Sequence, residues 1–118
     1  MLFRSARATA RFTITLVVPL ILKGVQCWED ALEAYDRGLA GVVLSNHGGR
    51  QLEFSRSGVE TLVEVVRELK ARRGLTFPNE KFQLFVDGGV RRATDVLKAV
   101  ALGATAGESL CRVARELG

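Results

Sequence analysis

The chain has 118 residues, of which 47% are apolar and 25% are charged, a composition typical of one small globular domain with no room for a second. Its net charge of +4 comes from Arg4, Arg7, Arg11 and Lys23, which precede the first acidic residue, Glu29, because the later charges cancel. The charge pattern therefore predicts no nucleic-acid-binding face, and no apolar stretch reaches the roughly 18 residues of a membrane span.

Cysteine and histidine usage argues against a metal site. Cys27 and Cys111 lie far apart without a neighbouring cysteine, and His47 is the only histidine. This pattern lacks the ligand spacing of a zinc site and gives no disulfide framework. We predict no bound metal and a reducing interior compartment.

The first segment in chain order is a basic leader over residues 1–16. It contains arginine and serine but no acidic residue, which is typical of a mitochondrial transit peptide. An arbitrary amino terminus of this composition is equally compatible. The sequence therefore leaves the location open between the mitochondrion and the cytoplasm.

From residue 17 to residue 104, apolar runs that end in turn residues alternate with amphipathic stretches. This alternation predicts βα units around a parallel sheet. The predicted strands are residues 17–22, 40–44 and 82–86.

Helical spacing follows each predicted strand. The first helix contains Ala31, Leu32 and Tyr35 and ends at Gly38. The second follows serines that could cap it and repeats its apolar residues at intervals of three and four; these are Val59, Leu62, Val63, Val66 and Leu69. The third begins at Ala93 or Thr94 and closes at Gly103, and its predicted apolar face consists of Val96, Leu97, Val100 and Ala101.

Residues 105–118 form a tail of different character. A fourth strand is expected near Ala104, but residues 105–109 are polar and interrupted by glycine. We therefore predict three firm strands and a fourth that is missing or spoiled. The sequence of residues 109–117 indicates a short helix.

Polar residues follow the carboxyl end of every predicted strand, in residues 23–24, 45–51 and 87–92. Parallel α/β proteins bind ligands at that end, because strands deliver side chains there and helix N-termini direct backbone N–H groups at anions. The three segments therefore predict one common site.

The segment after the second strand has the residues for acid–base chemistry. Histidine is the residue type that transfers protons near neutral pH, and His47 is followed by two glycines that allow a tight turn. Arg50 offers a planar fork suited to a carboxylate. The run predicts proton abstraction from a small organic acid, and the alternative is a solvated loop with an incidental histidine and arginine.

Two other strand ends suit a cofactor. Residues 87–92 place Asp87, two glycines and two arginines just before a helix, an arrangement suited to a phosphate or a ribityl chain. Lys23 would stabilise the anionic reduced form of an electron-rich cofactor. The alternatives are an ordinary helix cap and a lysine that reaches solvent by its long stem.

Three motifs together resemble the FMN-dependent α-hydroxy acid dehydrogenase and oxidase family. They are Leu22-Lys-Gly-Val-Gln, the run Ser-Asn-His-Gly-Gly-Arg-Gln that begins at Ser45, and Phe-Val-Asp-Gly-Gly-Val-Arg-Arg that begins at Phe85. The match extends from about Val18 to Ala104. The family fold is a (β/α)8 barrel, so the resemblance implies an α/β protein that is a partial TIM barrel, about strand five through helix seven.

The resemblance also implies an activity, the oxidation of a small 2-hydroxy acid of the L-lactate or glycolate type to the 2-oxo acid with FMN. His47 would be the active-site base and would contact the substrate, whose carboxylate Arg50 would bind. The residues implied in cofactor binding are Lys23 at the flavin, and Asp87, Gly89 and Arg91 at the ribityl chain and phosphate.

The chain departs from the family pattern at both ends. Before Val18 the family has four further strands, and the Gly-Arg expected after Ala104 falls on Leu110 and Cys111. A whole barrel needs about 250 residues, so we expect an incomplete fragment whose exposed sheet edges favour an oligomer or a complementing barrel half. Two alternatives stay open, a non-catalytic remnant and a phosphate-binding barrel enzyme without flavin.

Overall fold

The computed structural model describes residues 18–107 as a four-stranded sheet with helices between the strands. The strands are β1 Ile21–Val25, β2 Gly41–Leu44, β3 Gln83–Val86 and β4 Ala106–Gly107, and the helices are α1 Trp28–Asp36, α2 Gly58–Arg73 and α3 Ala93–Ala101. All strand pairs are parallel and follow chain order. The predicted α/β class and the predicted parallel sheet are confirmed.

The first strand lies further along the chain than predicted. The sequence analysis placed it at residues 17–22, but β1 spans Ile21–Val25 and so contains Lys23 and Gly24. The pairing with β2 shifts between Lys23 and Val25, and Gly24 has a φ of +91° at this bulge. The strand continues through the Lys-Gly pair because the bulge absorbs one residue.

The fourth strand is short, not missing. Ala106–Gly107 pairs with the end of β3. The polar residue before it supports this pairing, because the Thr105 N–H donates to the Leu84 carbonyl oxygen at 2.7 Å and the Thr105 hydroxyl accepts from the Leu84 N–H at 3.3 Å. The predicted leader over 1–16 and the predicted helix over 109–117 lie outside the described residues.

The core lies between one face of the sheet and the helices. Side chains alternate along a strand, and one set is buried against the helices: Val42, Leu44, Leu84 and Val86. The opposite face carries Lys23, Val43 and Phe85 at equivalent register positions. On that face Ile21 is 45% exposed. The helices thus cover only one side of the sheet in this part of the chain.

Helix α2 begins as predicted. Its N-cap is Ser57, whose hydroxyl accepts from the Glu60 N–H while the Glu60 carboxylate accepts from the Ser57 N–H at 2.9 Å, a capping box. Gly58 allows the helix to begin against the sheet, because a Cβ there would lie 2.6 Å from the Leu44 carbonyl oxygen. The first turn of α2 is therefore fixed beside the end of β2.

The apolar face predicted for α3 is wrong. Leu97 is 68% exposed and Val100 is 41% exposed, whereas Ala99 is buried. Apolar residues surround most of this helix, so periodicity alone did not show which side meets the sheet. Within the described residues, no helix is both long and apolar enough to cross a membrane.

Candidate active site

The bulge in β1 directs Lys23 to the uncovered face of the sheet. In a regular strand Lys23 and Val25 would point to the same side, because side chains alternate with a period of two. Here Lys23 aligns with Val43 and Phe85, whereas Val25 aligns with Leu44 and is fully buried on the helix side. Because Gly24 is the extra residue between them, Val25 lies in the core while Lys23 lies on the opposite, uncovered face of the sheet.

Lys23 meets residues from the ends of the next two strands. Its ammonium group forms an ion pair with Asp87, which follows β3, and donates to the hydroxyl of Ser45, which follows β2, at 3.3 Å. The side chain of Lys23 is 43% exposed and that of Asp87 is 14% exposed, whereas Ser45 is buried. The structure thus brings Lys23, inside β1, together with the residues that follow β2 and β3, as predicted for the three polar segments, and we call this group the Lys23–Ser45–Asp87 cluster.

His47 lies in a tight turn directly above this cluster. Its backbone N–H donates to the Ser45 hydroxyl at 3.0 Å. Its φ is +57°, and the two following residues, Gly48 and Gly49, also have positive φ values, a conformation that glycine adopts without strain. The imidazole is exposed and makes no hydrogen bond within residues 18–107. The turn therefore presents the imidazole to the space outside the sheet.

A second group of contacts fixes the same turn from its flanks. The Asn46 side chain accepts from the Gly49 N–H at 3.1 Å and donates to the Arg56 carbonyl oxygen at 3.3 Å. The Arg56 guanidinium forms an ion pair with Glu64 of α2 and donates to the Gln26 carbonyl oxygen at 3.0 Å. Sequence reasoning gave Asn46 and Arg56 no role, because hydrogen bonds such as the one from Arg56 to Gln26, 30 residues away, leave no pattern in the sequence.

Arg50, the predicted carboxylate ligand, closes this turn. It is exposed, and its Nε lies 4.0 Å from the position that a Cβ on Gly48 would occupy. The guanidinium is therefore close to the glycine turn that carries His47. Both predicted substrate residues lie on one short segment.

The turn after β3 is built differently. Gly88 and Gly89 have φ values of +79° and +77°, and a Cβ on Gly89 would meet no atom within 4 Å. The backbone N–H groups of Arg91 and Arg92 donate to Asp95 at 3.2 and 3.0 Å. These hydrogen bonds lower the pKa of the Asp95 carboxyl below its ordinary value. The backbone N–H groups of Arg91 and Arg92, which the sequence suggested could bind an anion, thus donate to the Asp95 carboxylate instead.

A groove of about 330 Å³ lies beside this turn. Its lining joins the start of α2, the glycines of the turn and the first half of α3: Ser57, Val59, Gly88, Gly89, Val90, Asp95, Lys98 and Ala99. The predicted cofactor residue Gly89 therefore borders empty space.

Lys23, the His47 turn and the glycine turn after β3 thus lie at neighbouring strand ends of one parallel sheet, which is where parallel α/β proteins bind ligands. The chain matches the family model described as FMN-dependent dehydrogenase over residues 6–111. The chain belongs to this family, whose cofactor is FMN.

Relatives of established activity support the same assignment. An L-lactate dehydrogenase (cytochrome) from Wickerhamomyces anomalus is 60% identical over 87 residues, which are 74% of this chain and 14% of that protein. A peroxisomal (S)-2-hydroxyacid oxidase from Arabidopsis thaliana is 45% identical over 89 residues, which are 75% of this chain and 22% of that protein.

Solved structures match the fold. The flavin-binding domain of baker's yeast flavocytochrome b2 superposes with a TM-score of 0.78 at 46% identity, over 86% of this chain and 25% of that one. A mandelate oxidase superposes with a TM-score of 0.73 at 39% identity, over 86% of this chain and 26% of that one. The fold therefore matches part of a TIM-barrel enzyme, and the chain spans between 14% and 26% of the length of these relatives.

Proposed function

We propose that this chain carries part of the active site of an FMN-dependent enzyme that oxidises a 2-hydroxy acid of the L-lactate or glycolate type to the 2-oxo acid. One observation carries the proposal: the Lys23–Ser45–Asp87 cluster lies at adjoining strand ends and supports the turn that presents His47. Ligands of parallel α/β proteins bind at such strand ends.

The residues present fit a flavin mononucleotide. Lys23 supplies a partly exposed cation at the strand ends, which suits the electron-rich edge of a flavin. The turn after β3 offers open space at Gly89 and an exposed guanidinium at Arg91, which suit a ribityl chain and a phosphate. Because Asp95 accepts from two amides there, we assign the phosphate to the Arg91 side chain and the ribityl chain to Asp87 and Gly89.

The turn after β2 would handle the substrate. Arg50 would bind the carboxylate through its planar fork, and His47 would take a proton from the 2-hydroxy acid as general base. Bound FMN supplies the two-electron oxidation. The exposed imidazole and the nearby guanidinium suit a small acid held by its carboxylate with its hydroxyl toward His47.

We also propose that β1 through α3 correspond to strand five through helix seven of a complete barrel. The superposition over 86% of this chain and the unbroken strand order of the sheet support this correspondence. In that arrangement the face carrying Lys23, Val43 and Phe85 is the interior of the barrel.

Anaerobic spectroscopy of the 118-residue chain with FMN tests the activity. We expect the flavin absorbance near the visible maximum to bleach on addition of L-lactate or glycolate. Acetate is the matched control, because it has the carboxylate but no hydroxyl to oxidise. Saturable flavin binding without bleaching by either acid would refute the activity for this chain.

A second candidate function is that of a non-catalytic chain that requires a complementing barrel half. The exposure of Ile21 on the face opposite the helices favours this candidate, because parallel sheets are stable when both faces are covered. Such a chain would oligomerise through its exposed sheet edges. Sedimentation and circular dichroism distinguish the two, since a monomer that unfolds cooperatively contradicts the second candidate.

A further inference from the structure

The proposed function assigns Ser45 no contact with flavin or substrate, yet its side chain lies between Lys23 and His47, which are assigned such contacts. Its side chain is buried, and the residue is only 2% exposed. Its hydroxyl oxygen accepts from the Lys23 ammonium at 3.3 Å and from the backbone N–H of His47 at 3.0 Å. One buried atom therefore contacts both the cation assigned to the flavin and the backbone of the assigned base.

These two hydrogen bonds occupy the acceptor capacity of the hydroxyl, because a serine oxygen has two lone pairs. Water has little access at this depth, so it would not readily replace a lost acceptor. His47 also has a φ of +57°, in the left-handed region that residues other than glycine rarely adopt. A serine hydroxyl that accepts from the N–H two residues later stabilises a turn of this kind.

We propose that Ser45 is a positioning residue that ties Lys23 to the backbone of His47, so that a single hydroxyl sets both the flavin-side cation and the base. The roles of Lys23 and His47 rest on the proposed function, but the contacts themselves are measurable without flavin. The distinctive consequence is coupling, because loss of one oxygen should disturb the His47 turn and the cofactor site together.

Three variants isolate the hydroxyl. Ser45→Ala removes it, and Ser45→Thr keeps it. Ser45→Cys keeps the size of the side chain but leaves only a weak acceptor. Thr61→Val is the matched control, because Thr61 is 1% exposed and its hydroxyl donates to the Ser57 carbonyl oxygen at 3.1 Å within α2. This control removes a buried hydroxyl without touching Lys23 or His47.

The experiment is amide hydrogen exchange by NMR on the 118-residue chain. Exchange of the His47 N–H should be about tenfold faster in Ser45→Ala and in Ser45→Cys than in the parent chain, and within about threefold of the parent in Ser45→Thr and in Thr61→Val. If Ser45→Ala does not fold, the exchange rate of the His47 N–H in Ser45→Cys tests the proposal. Unchanged His47 exchange in the variants that lack the serine hydroxyl, or equal acceleration in Thr61→Val, overturns the proposal.

A flavin titration of the same variants separates this proposal from the proposed function. We expect FMN to bind about tenfold more weakly to Ser45→Ala, with affinity restored in Ser45→Thr. If the parent chain binds no FMN, the proposed function fails while the exchange result still decides the role of Ser45. If FMN binds equally to the parent and to Ser45→Ala, the coupling is wrong.

Discussion

The turn after β2 and the turn after β3 each contain two consecutive glycines with positive φ, but they are held in different ways. The first is supported from below by the Ser45 hydroxyl and from the side by Asn46 and Arg56. The second is held mainly by the Asp95 carboxylate at the exposed start of α3. A turn tied to a buried hydroxyl and braced by further hydrogen bonds suits precise placement of an imidazole, whereas an open glycine turn suits close approach of a cofactor.

The comparison predicts that the first turn carries the proton chemistry and the second does not. His47→Gln should lower 2-hydroxy acid oxidation by about 10²- to 10⁴-fold, the usual contribution of a general base, while flavin affinity stays close to that of the parent. Steady-state assay and flavin titration of the same preparation measure both. Loss of flavin in this variant would show that His47 belongs to the cofactor site instead.

The next largest expected effect is on stability and concerns Gly58, which packs against the end of β2. Gly58→Ala would place a Cβ 2.6 Å from the Leu44 carbonyl oxygen and 2.9 Å from Val86. We expect a loss of about 2 kcal/mol in the free energy of unfolding, as for other overpacked sites, measured by urea denaturation. Gly49→Ala is the control: it is strained in φ but meets no atom within 4 Å, and should cost about 1 kcal/mol. Equal losses would refute the steric explanation.

The side support of the first turn gives a smaller effect. Arg56→Met removes the hydrogen bond to the Gln26 carbonyl oxygen and the ion pair with Glu64. The free energy of unfolding should fall by about 1 kcal/mol, because both contacts are partly exposed. Arg67→Met removes only an exposed ion pair with Glu68 and should change stability less. A larger loss in Arg67→Met would contradict the role given to Arg56.

The smallest effect concerns the second turn and depends on pH. Hydrogen bonds from the Arg91 and Arg92 N–H groups lower the pKa of Asp95, so its contribution to stability is fully present above its ordinary unfolded pKa of about 3.9 and is lost as the pH falls through the lowered folded value. Asp95→Asn should therefore reduce the acid dependence of the melting temperature. Unchanged acid dependence would show that the cap is absent in solution.

The meeting of the candidate site residues could be predicted from the sequence, because the polar segments that contain them lie at or directly after the ends of apolar runs. The structure confirms that Lys23, Asp87 and the His47 turn meet at one end of the sheet. Their roles toward FMN and substrate remain predictions. Local pattern sufficed here because parallel strands bring their carboxyl ends together whatever the loops do.

Other features could not be predicted, for identifiable physical reasons. The bulge at Gly24, which directs Lys23 away from the core, depends on pairing with β2. The short strand β4 pairs with β3, and the Thr105 hydroxyl before it accepts from the Leu84 N–H, 21 residues away in the chain. The supports of the first turn join residues up to 30 positions apart. Each is a tertiary contact that leaves no periodic signal in the sequence.

Binding of FMN to the strand ends is the central claim, and a fluorescence titration of FMN with the 118-residue chain and with its Lys23→Met variant tests it most directly. We predict saturable quenching by the parent chain and about tenfold weaker binding by the variant, which lacks the cation. No binding by the parent chain, or equal binding by both, would contradict the claim.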